Sequence, residues 1–254
     1  MESHSKFALN TLAKAAEIPK QLFRKPIEIT DKEDDSPVTI ADQNTEMLIR
    51  NTILAKYPQH AITGEEYGSS DDKSEYRWII DPIDGTRSFI TGFPLYGMLL
   101  GLLKNNEPIL GAIHMPELNE TFIGENGRAT VNGETQLTTS QVISLDNARV
   151  FINESEKIIA HDTVLFSKLC QIGYTRRLSY DCYPHAMVAA GYIDICIDYD
   201  LKPFDYLPLI PVVEGAGGII SDWQGKPLDM NSDGRVLSCA NTLLHNELVE
   251  MINL

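Results

Sequence analysis

An apolar run that ends in two acids at a rigid turn most constrains what this chain can fold into. Trp78–Ile80 has the pattern of a buried β-strand. The run ends at Asp81, Pro82 then fixes the backbone, and Gly85 permits a conformation closed to other residues. The carboxylates of Asp81 and Asp84 can therefore converge on one point.

Two converging carboxylates repel each other, and a divalent cation removes that repulsion. Oxygen ligands favour a hard ion such as Mg²⁺. The amides of Gly85 and Thr86 precede a short helix expected near Ser88, and amides at a helix N-terminus bind anions. The residues therefore indicate metal-assisted phosphate chemistry, in which metal ions neutralise the phosphate, lower the pKa of a bound water and stabilise the leaving oxygen.

Further acidic residues occur at predicted turns and helix starts. Glu65 and Glu66 follow Gly64 in a turn, Asp205 opens a helix, and Asp42 follows an extended segment. Acids at turns and helix N-termini are common caps, so capping or exposure is the stronger reading for the Glu65-Glu66 pair or Asp205 taken alone. An apolar strand that ends in two acids is harder to explain in that way.

The charge balance limits the classes of partner. The chain has 254 residues, with 21 basic against 36 acidic side chains and a net charge of −15. Nucleic acids and anionic membranes need a basic surface, so both are unfavourable partners. The four cysteines show no CxxC spacing, which indicates reduced thiols. With no signal-peptide core and an apolar run, Tyr96–Leu103, too short for a bilayer, we expect a cytoplasmic protein without nucleic-acid or membrane partners.

The order of patterns along the chain predicts an α/β (α+β) fold built in layers. Helical spacing covers about 3–23 and 42–57, β-type runs follow, and strands alternate with helices after about residue 145. We expect the whole chain to form one compact unit. Its sub-domains would be an N-terminal α+β part at about 1–140, which holds the metal site, and a C-terminal α/β part at about 141–254.

With these residues the chain resembles the inositol monophosphatase superfamily. The signature of that superfamily is a Gly-Glu-Glu turn, then Asp-Pro-Ile-Asp-Gly-Thr, then an aromatic residue and Asp that open a helix. All three occur in this order, at Gly64–Glu66, at Asp81–Thr86 and at Phe204 and Asp205. The resemblance covers residues 37–225 approximately. It implies the layered αβαβα sugar-phosphatase fold, Mg²⁺ dependence, hydrolysis of a small phosphomonoester and a homodimer.

The resemblance also implies roles for individual residues. Thr86, paired with Asp42, would orient and activate the attacking water, and the amides of Gly85 and Thr86 would hold the phosphate. Glu66 would support the ligands or bind a third metal, and Lys32 is the candidate for the lysine that the family places in a mobile N-terminal loop. Two or three Mg²⁺ ions would be held by Glu65, Asp81, the carbonyl of Ile83, Asp84 and Asp205.

Within the superfamily the chain is most similar to the histidinol-phosphatase branch. Asp181 and Asp198 would there face the organic part of the substrate, with Arg87 and Lys32 as further contacts. Histidinol phosphate carries an ammonium and an imidazole, which two pocket carboxylates complement, whereas neutral inositol needs hydroxyl partners. The matching segments are residues 84–92, 181–183, 201–205 and 212–218.

The chain departs from this branch at Tyr180, where Gly is usual, and at Pro184 and His185, where a plainer helix start is usual. The leading hypothesis is hydrolysis of L-histidinol phosphate to L-histidinol and phosphate, a reaction of histidine biosynthesis. Three alternatives stay open: an inositol-1-monophosphatase, a 3′(2′),5′-bisphosphate nucleotidase, and a non-enzymatic regulatory module on a phosphatase scaffold.

Overall fold

The computed structural model describes residues 3–31, 37–70 and 73–254, so Lys32 lies outside the described residues. The helices are α1 (His4–Ala15), α2 (Glu17–Leu22), α3 (Ile40–Lys56), α4 (Thr86–Ile90), α5 (Ser155–His161), α6 (Thr163–Leu169), α7 (Tyr183–Ala189), α8 (Pro203–Tyr206), α9 (Leu209–Gly215) and α10 (Thr242–Asn253).

The strands form a larger and a smaller sheet, with one short hairpin beside them. The hairpin is β1 (Ile29–Asp31) with β2 (Pro37–Thr39). The larger sheet contains β3 (Ala61–Gly64), β4 (Gly68–Ser69), β5 (Tyr76–Asp84), β6 (Gly97–Lys104), β7 (Glu107–Met115), β8 (Glu120–Glu125), β9 (Arg128–Val131) and β10 (Thr135–Gln136). The smaller sheet contains β11 (Arg149–Ile152), β12 (Thr175–Leu178), β13 (Ile195–Asp198), β14 (Ile219–Ser221) and β15 (Val236–Cys239).

Helix α3 begins two residues before the predicted start because Thr39 caps it. The Thr39 hydroxyl accepts the Ala41 N–H, and the Asp42 carboxylate accepts the Thr39 N–H at 2.8 Å in return. This reciprocal pair satisfies amides that a helix N-terminus leaves without partners. The cap also fixes the Asp42 carboxyl at the start of the helix.

The larger sheet has the order β10-β9-β8-β7-β6-β5-β3-β4 and is antiparallel except where β3 pairs with β5. Alternation along β5 sends Trp78 and Ile80 into one core, with α1 and α3, and Ile79 into the other, with α9. The pairing of β5 with β6 is irregular between Asp81 and Asp84, so the strand departs from regular pairing where the two acids lie.

The smaller sheet has the order β12-β11-β13-β15-β14, with β11, β12 and β13 parallel and β15 antiparallel. The sequence pattern missed β15, which pairs with both β13 and β14 in the sheet interior. Its four residues, Val236–Cys239, include the polar Ser238 and follow a loop rich in turn residues. Burial between two neighbouring strands, rather than local propensity, forms this strand.

The layers alternate helix, sheet, helix, sheet, helix, as the predicted αβαβα fold requires. Helices α1 and α3 cover the outer face of the larger sheet, α7 and α9 lie between the sheets, and α10 packs its Leu244 and Leu248 against the smaller sheet. The two sheets fall on either side of about residue 140, where we predict the sub-domain boundary. Among the described residues, no helix is both long and apolar enough to cross a membrane.

Candidate active site

The structure brings together three acids that the sequence places in two distant segments. Asp81 and Asp84 come from the irregular end of β5, and Asp205 comes from α8. One carboxylate oxygen of each lies within 4.8 Å of the others. A strand end and the first turn of a short helix therefore aim oxygen ligands at one point.

The surroundings of the three carboxyl groups in this acid cluster oppose their ionisation. Burial raises the pKa of Asp81 well above its usual value, and the neighbouring carboxylates of Glu65, Asp84 and Asp205 raise it further. Burial also raises the pKa of Asp84, as do Asp181 and Asp205. Burial raises the pKa of Asp205 to about 7, although a hydrogen bond from the Lys202 N–H acts in the opposite direction and lowers it. An oxygen-only donor set whose members repel one another fits a hard divalent cation.

Ile83 connects the two acids through its backbone. Its N–H donates to Asp81 Oδ1 at 3.0 Å, and its carbonyl oxygen lies 3.1 Å from the Thr86 hydroxyl, which is at the same distance from Asp42 Oδ1. A carbonyl oxygen has two lone pairs, so this contact leaves capacity for the second bond that the ligand prediction requires. The hydrogen bonds make the turn rigid between the two acids.

Thr86 and Asp42 lie together, as the resemblance implies. The Thr86 hydroxyl lies 3.1 Å from Asp42 Oδ1, and both the N–H and the hydroxyl of Thr39 donate to Asp42 Oδ2, at 2.8 and 2.6 Å. Burial raises the pKa of Asp42, while the hydrogen bonds from Thr39 and Thr86 oppose that rise. The carboxylate is therefore held in one orientation towards Thr86.

Gly85 satisfies two requirements at the start of α4. Its φ of +82° lies in the left-handed region. A Cβ at this position would also lie 2.5 Å from the Asp181 carboxyl. A residue with a Cβ here would therefore push the Asp181 carboxyl out of its position. This close approach explains the glycine of the acidic turn better than flexibility does.

The turn that carries Glu65 and Glu66 is held by Glu46, a residue that the sequence reasoning missed. Glu46 is fully buried on α3, and its carboxylate accepts the Glu66 N–H at 2.7 Å and the Tyr67 N–H at 3.2 Å. Arg50 donates to the same carboxylate at 2.6 Å. Its position in the sequence could have identified it, because Glu46 lies four residues after Asp42 and therefore on the same buried face of α3.

A cavity of about 320 Å³ opens beside the acid cluster and contains the predicted substrate contacts Asp181 and Asp198 in its walls. Ser88 donates to Asp181 at 2.5 Å, and burial raises the pKa of Asp181 to about 6. Arg87 also lines the cavity but forms an ion pair with Glu156 at 3.0 Å. The structure thus brings Asp181, Asp198 and Arg87 to one cleft.

The two departures from the branch pattern occupy different places. The ring of Tyr180 stacks on the ring of Phe93, with their centroids 5.5 Å apart, and its chain neighbours Ser179 and Asp181 line the cavity. His185 is fully buried and does line the cavity. Lys157 and Lys202, which the sequence reasoning did not consider, also line it, and both contact Asp200.

Comparisons with known proteins agree with this geometry. The profile of the Inositol monophosphatase family matches residues 1–253. An inositol monophosphatase structure from Zymomonas mobilis superposes with a TM-score of 0.87 at 31% identity, over 100% of both chains. The chain belongs to the inositol monophosphatase family, whose members are metal-dependent phosphatases.

Two curated relatives lie in the same family. The bifunctional phosphatase IMPL2 of Arabidopsis thaliana is 43% identical over 85% of this chain, and the chain spans 64% of the length of that relative. A histidinol-phosphatase of Chlorobaculum parvum is 34% identical over 96% of this chain and 95% of its own length. The predicted family and layered fold are therefore confirmed.

Proposed function

We propose that this protein hydrolyses a small phosphomonoester with Mg²⁺ as its cofactor. The observation that carries the proposal is the convergence of Asp81, Asp84 and Asp205, whose pKa values are raised by burial and by neighbouring carboxylates within the part of the chain that the structure describes. Phosphate transfer depends mostly on positioning and on neutralising negative charge, and oxygen-ligated Mg²⁺ supplies that neutralisation when bound. Two or three ions would be held by Glu65, Asp81, the Ile83 carbonyl, Asp84 and Asp205.

Thr86 and Asp42 are proposed to orient the attacking water. A threonine hydroxyl has one hydrogen and two lone pairs. When that hydrogen is donated to Asp42 Oδ1, a lone pair of Thr86 is left to accept a hydrogen of water. The double contact from Thr39 keeps Asp42 from turning away. As the water attacks, it passes a proton to the Thr86 hydroxyl oxygen, and the Thr86 hydroxyl passes its own proton to Asp42 Oδ1.

The amides of Gly85 and Thr86 are proposed to hold the phosphate oxygens. Gly85 is the residue before α4 and Thr86 is its first residue, and both line the cavity next to Asp84. Backbone N–H groups at a helix start favour an anion. Glu66 supports the ligand turn through the contact of its N–H with Glu46, and binding of a third ion is its further proposed role.

The proposed substrate is L-histidinol phosphate, as in histidine biosynthesis. Asp181 and Asp198 line the same cavity as the metal ligands, where two carboxyl groups suit an ammonium and an imidazole. A pKa of about 6 leaves Asp181 mostly ionised at pH 7. The relative from Chlorobaculum parvum bears the name histidinol-phosphatase. Arg87 is proposed as a further contact, and Lys32 stays a prediction from the resemblance.

The runner-up substrate is inositol 1-phosphate, which the likeness to the Zymomonas mobilis structure favours. A 3′(2′),5′-bisphosphate nucleotide is the third choice, and a regulatory module without catalysis is the non-enzymatic alternative. We also propose that the protein is a cytoplasmic homodimer. Each subunit would be one compact unit whose two sub-domains meet at about residue 140.

The decisive experiment measures phosphate release from histidinol phosphate, inositol 1-phosphate and adenosine 3′,5′-bisphosphate side by side, each with Mg²⁺ and with EDTA. We expect Mg²⁺-dependent release, with the highest kcat/KM for histidinol phosphate. A higher value for inositol phosphate would replace the proposed substrate. No release from any substrate by folded, Mg²⁺-loaded protein would favour the regulatory alternative.

Asp181→Ala tests the charge of the pocket. Loss of a charged contact is worth about 1.5–3 kcal/mol, so KM for histidinol phosphate should rise roughly 10–100-fold, with a much smaller change for inositol phosphate. Asp181→Asn is the matched control, because it keeps the shape and removes only the charge. Equal effects of Asp181→Asn on both substrates would contradict a pocket that selects cations.

A further inference from the structure

A second group of potential metal ligands lies in the wall of the substrate cavity and differs in chemistry from the acid cluster. His185 Nε2 lies 3.1 Å from Asp198 Oδ2 and 3.5 Å from Cys196 Sγ, and one ligand atom of each residue lies within 4.8 Å of the others. All three side chains are buried. The group therefore offers one nitrogen, one sulfur and one oxygen at a single point.

The fold holds these ligands in a fixed arrangement. Cys196 and Asp198 are two residues apart on β13, so their side chains lie on one face of the smaller sheet. His185 comes from α7, which packs against that strand. Ligands placed on regular elements are held more precisely than ligands on loops.

The distances suit a tetrahedral ion. Zinc bonds sulfur at about 2.3 Å and nitrogen or oxygen at about 2.0–2.2 Å, which puts neighbouring ligand atoms roughly 3.3–3.6 Å apart. The separations of 3.1 and 3.5 Å found at His185 are close to these values. A thiolate, a carboxylate and a neutral imidazole together would neutralise a dication in this buried place.

Ser238 gives His185 the freedom to change tautomer. The His185 Nδ1 atom lies 2.8 Å from the Ser238 hydroxyl, which can either donate or accept. Without a metal, Nε2–H donates to Asp198 and Nδ1 accepts from Ser238. With a metal on Nε2, Nδ1–H donates to Ser238 instead. A partner that fixes the second ring nitrogen is the usual companion of a histidine ligand.

Asn153 also contacts this group of ligands. This side chain is 2% exposed, and its Nδ2 donates to Asp198 Oδ2 at 2.6 Å and to the Asp181 carbonyl at 2.8 Å. Its Oδ1 is buried and has no hydrogen-bond partner within the part of the chain that the structure describes. The amide nitrogen, which also lies 3.7 Å from Cys196 Sγ, is the end of the side chain that faces the three ligands. Rotation of the amide by half a turn would bring the buried acceptor Oδ1 to the ion in place of Nδ2.

We propose that His185, Cys196 and Asp198 bind Zn²⁺ at a site distinct from the Mg²⁺ ligands, and that the bound ion inhibits the enzyme. Nitrogen and sulfur ligands select a borderline-soft ion and discriminate against Mg²⁺. His185 and Asp198 line the cavity, so the ion enters from the substrate side. Coordination engages Asp198, which removes one of the two charges that receive the cationic substrate. Only this inhibition rests on the proposed function.

The binding test uses Co²⁺, because a thiolate ligand produces a charge-transfer absorption band that oxygen ligands do not. The full chain is stripped with EDTA, loaded with excess Mg²⁺ and titrated with Co²⁺. We expect the band in the wild type, in Cys170→Ser and in Cys182→Ser, and its loss in Cys196→Ser. The Cys182 control matters because the Cys182 N–H binds Asp84 in the Mg²⁺ cluster. A band absent from the wild type, or retained in Cys196→Ser, would overturn the proposal.

Ser238→Ala keeps the test decisive if Cys196→Ser fails to fold. Loss of the partner of a ligating histidine weakens metal affinity by roughly 10–100-fold, whereas a purely structural hydroxyl would leave Co²⁺ affinity unchanged. Unchanged affinity therefore contradicts the site.

The kinetic arm asks whether the bound ion inhibits. With Mg²⁺ saturating, Zn²⁺ should raise KM for histidinol phosphate with little change in kcat, and Cys196→Ser should relieve the effect. Equal inhibition of wild type and Cys196→Ser would place the inhibitory Zn²⁺ at the carboxylate cluster and refute the inhibitory role. If no phosphate release occurs at all, the proposed function fails, while the Co²⁺ titration still decides the site.

Discussion

Asp81 and Asp194 are both buried aspartates, and their surroundings give them opposite properties. Asp194 is fully buried, and burial opposes its ionisation, but hydrogen bonds from Arg149 and Ser140 overcome that effect and lower its pKa. Asp81 is 2% exposed, and burial and three carboxylate neighbours raise its pKa. A buried carboxylate with an adjacent guanidinium has its negative charge balanced by a residue of the same fold. A buried carboxylate among other carboxylates needs a cation from outside, which distinguishes a structural acid from a site.

The largest expected effect comes from removing a ligand of the acid cluster. Asp84→Asn should lower kcat by roughly 10²–10⁴, because charge stabilisation by a bound metal contributes several kcal/mol to the barrier. Phosphate release and Mg²⁺ binding by calorimetry provide the measurement. Near-normal turnover in saturating Mg²⁺ would show that the cluster is no more functional than Asp194.

Thr86→Ala should separate water orientation from metal binding. We expect kcat to fall by roughly 10²-fold with Mg²⁺ affinity largely retained, since the hydroxyl contacts Asp42 and the Ile83 carbonyl. Thr86→Ser is the control and should restore most of the rate. Unchanged turnover of Thr86→Ala would remove this residue from the mechanism.

Arg149→Met tests the structural role of Asp194, the acid that is paired within the fold. Removing one partner of a buried ion pair costs about 3–5 kcal/mol, and less is expected here because the Arg149 side chain is 35% exposed. Urea denaturation should show the loss of stability, while Mg²⁺ affinity of the folded variant stays unchanged. A variant as stable as the wild type would mean that Asp194 does not depend on Arg149.

We expect Asp205, whose pKa is raised, and Asp194, whose pKa is lowered, to change the stability of the protein in opposite directions as the pH rises. The pKa of Asp205 is about 7 in the folded protein against 3.8 for the ordinary group, so between these values the folded state binds a proton that the unfolded state has released. Metal-free stability should therefore fall as pH rises through this window. Asp194 contributes stability above its ordinary pKa of 3.8, and this is lost as pH falls through its lower folded value.

Mg²⁺ should reverse the loss at the acid cluster and give the smallest of these effects. At about 100 times its Kd, a ligand stabilises the folded state by about 2.7 kcal/mol, which for a chain of this size raises Tm by roughly 5–10 °C. Differential scanning fluorimetry at pH 7.5, with Mg²⁺ or EDTA, measures the shift. Asp205→Asn should lose it, whereas Arg149→Met should retain it.

Local features of the site were predictable because they depend on neighbours in the chain. The apolar run Trp78–Ile80 and the glycine at residue 85 follow from sequence patterns, although the strand continues past its predicted end at Asp81 to Asp84. Glu46 was not predictable in the same way. Its contact with the Glu66 N–H joins residues twenty positions apart in different layers, and a buried acid on a helix has no local signature.

The sequence by itself determined the family, the layered fold and the short segments that carry the acids, because motif spacing and hydrophobic alternation are local properties. Only the tertiary structure decided which acids meet a cation. Arg149 reaches Asp194 across two parallel strands, whereas Asp205 arrives beside Asp81 among further carboxylates. The tertiary structure also placed His185 against Cys196 and Asp198. The strength of a charge interaction in a protein interior depends on what packs beside it, and that is settled when the layers come together.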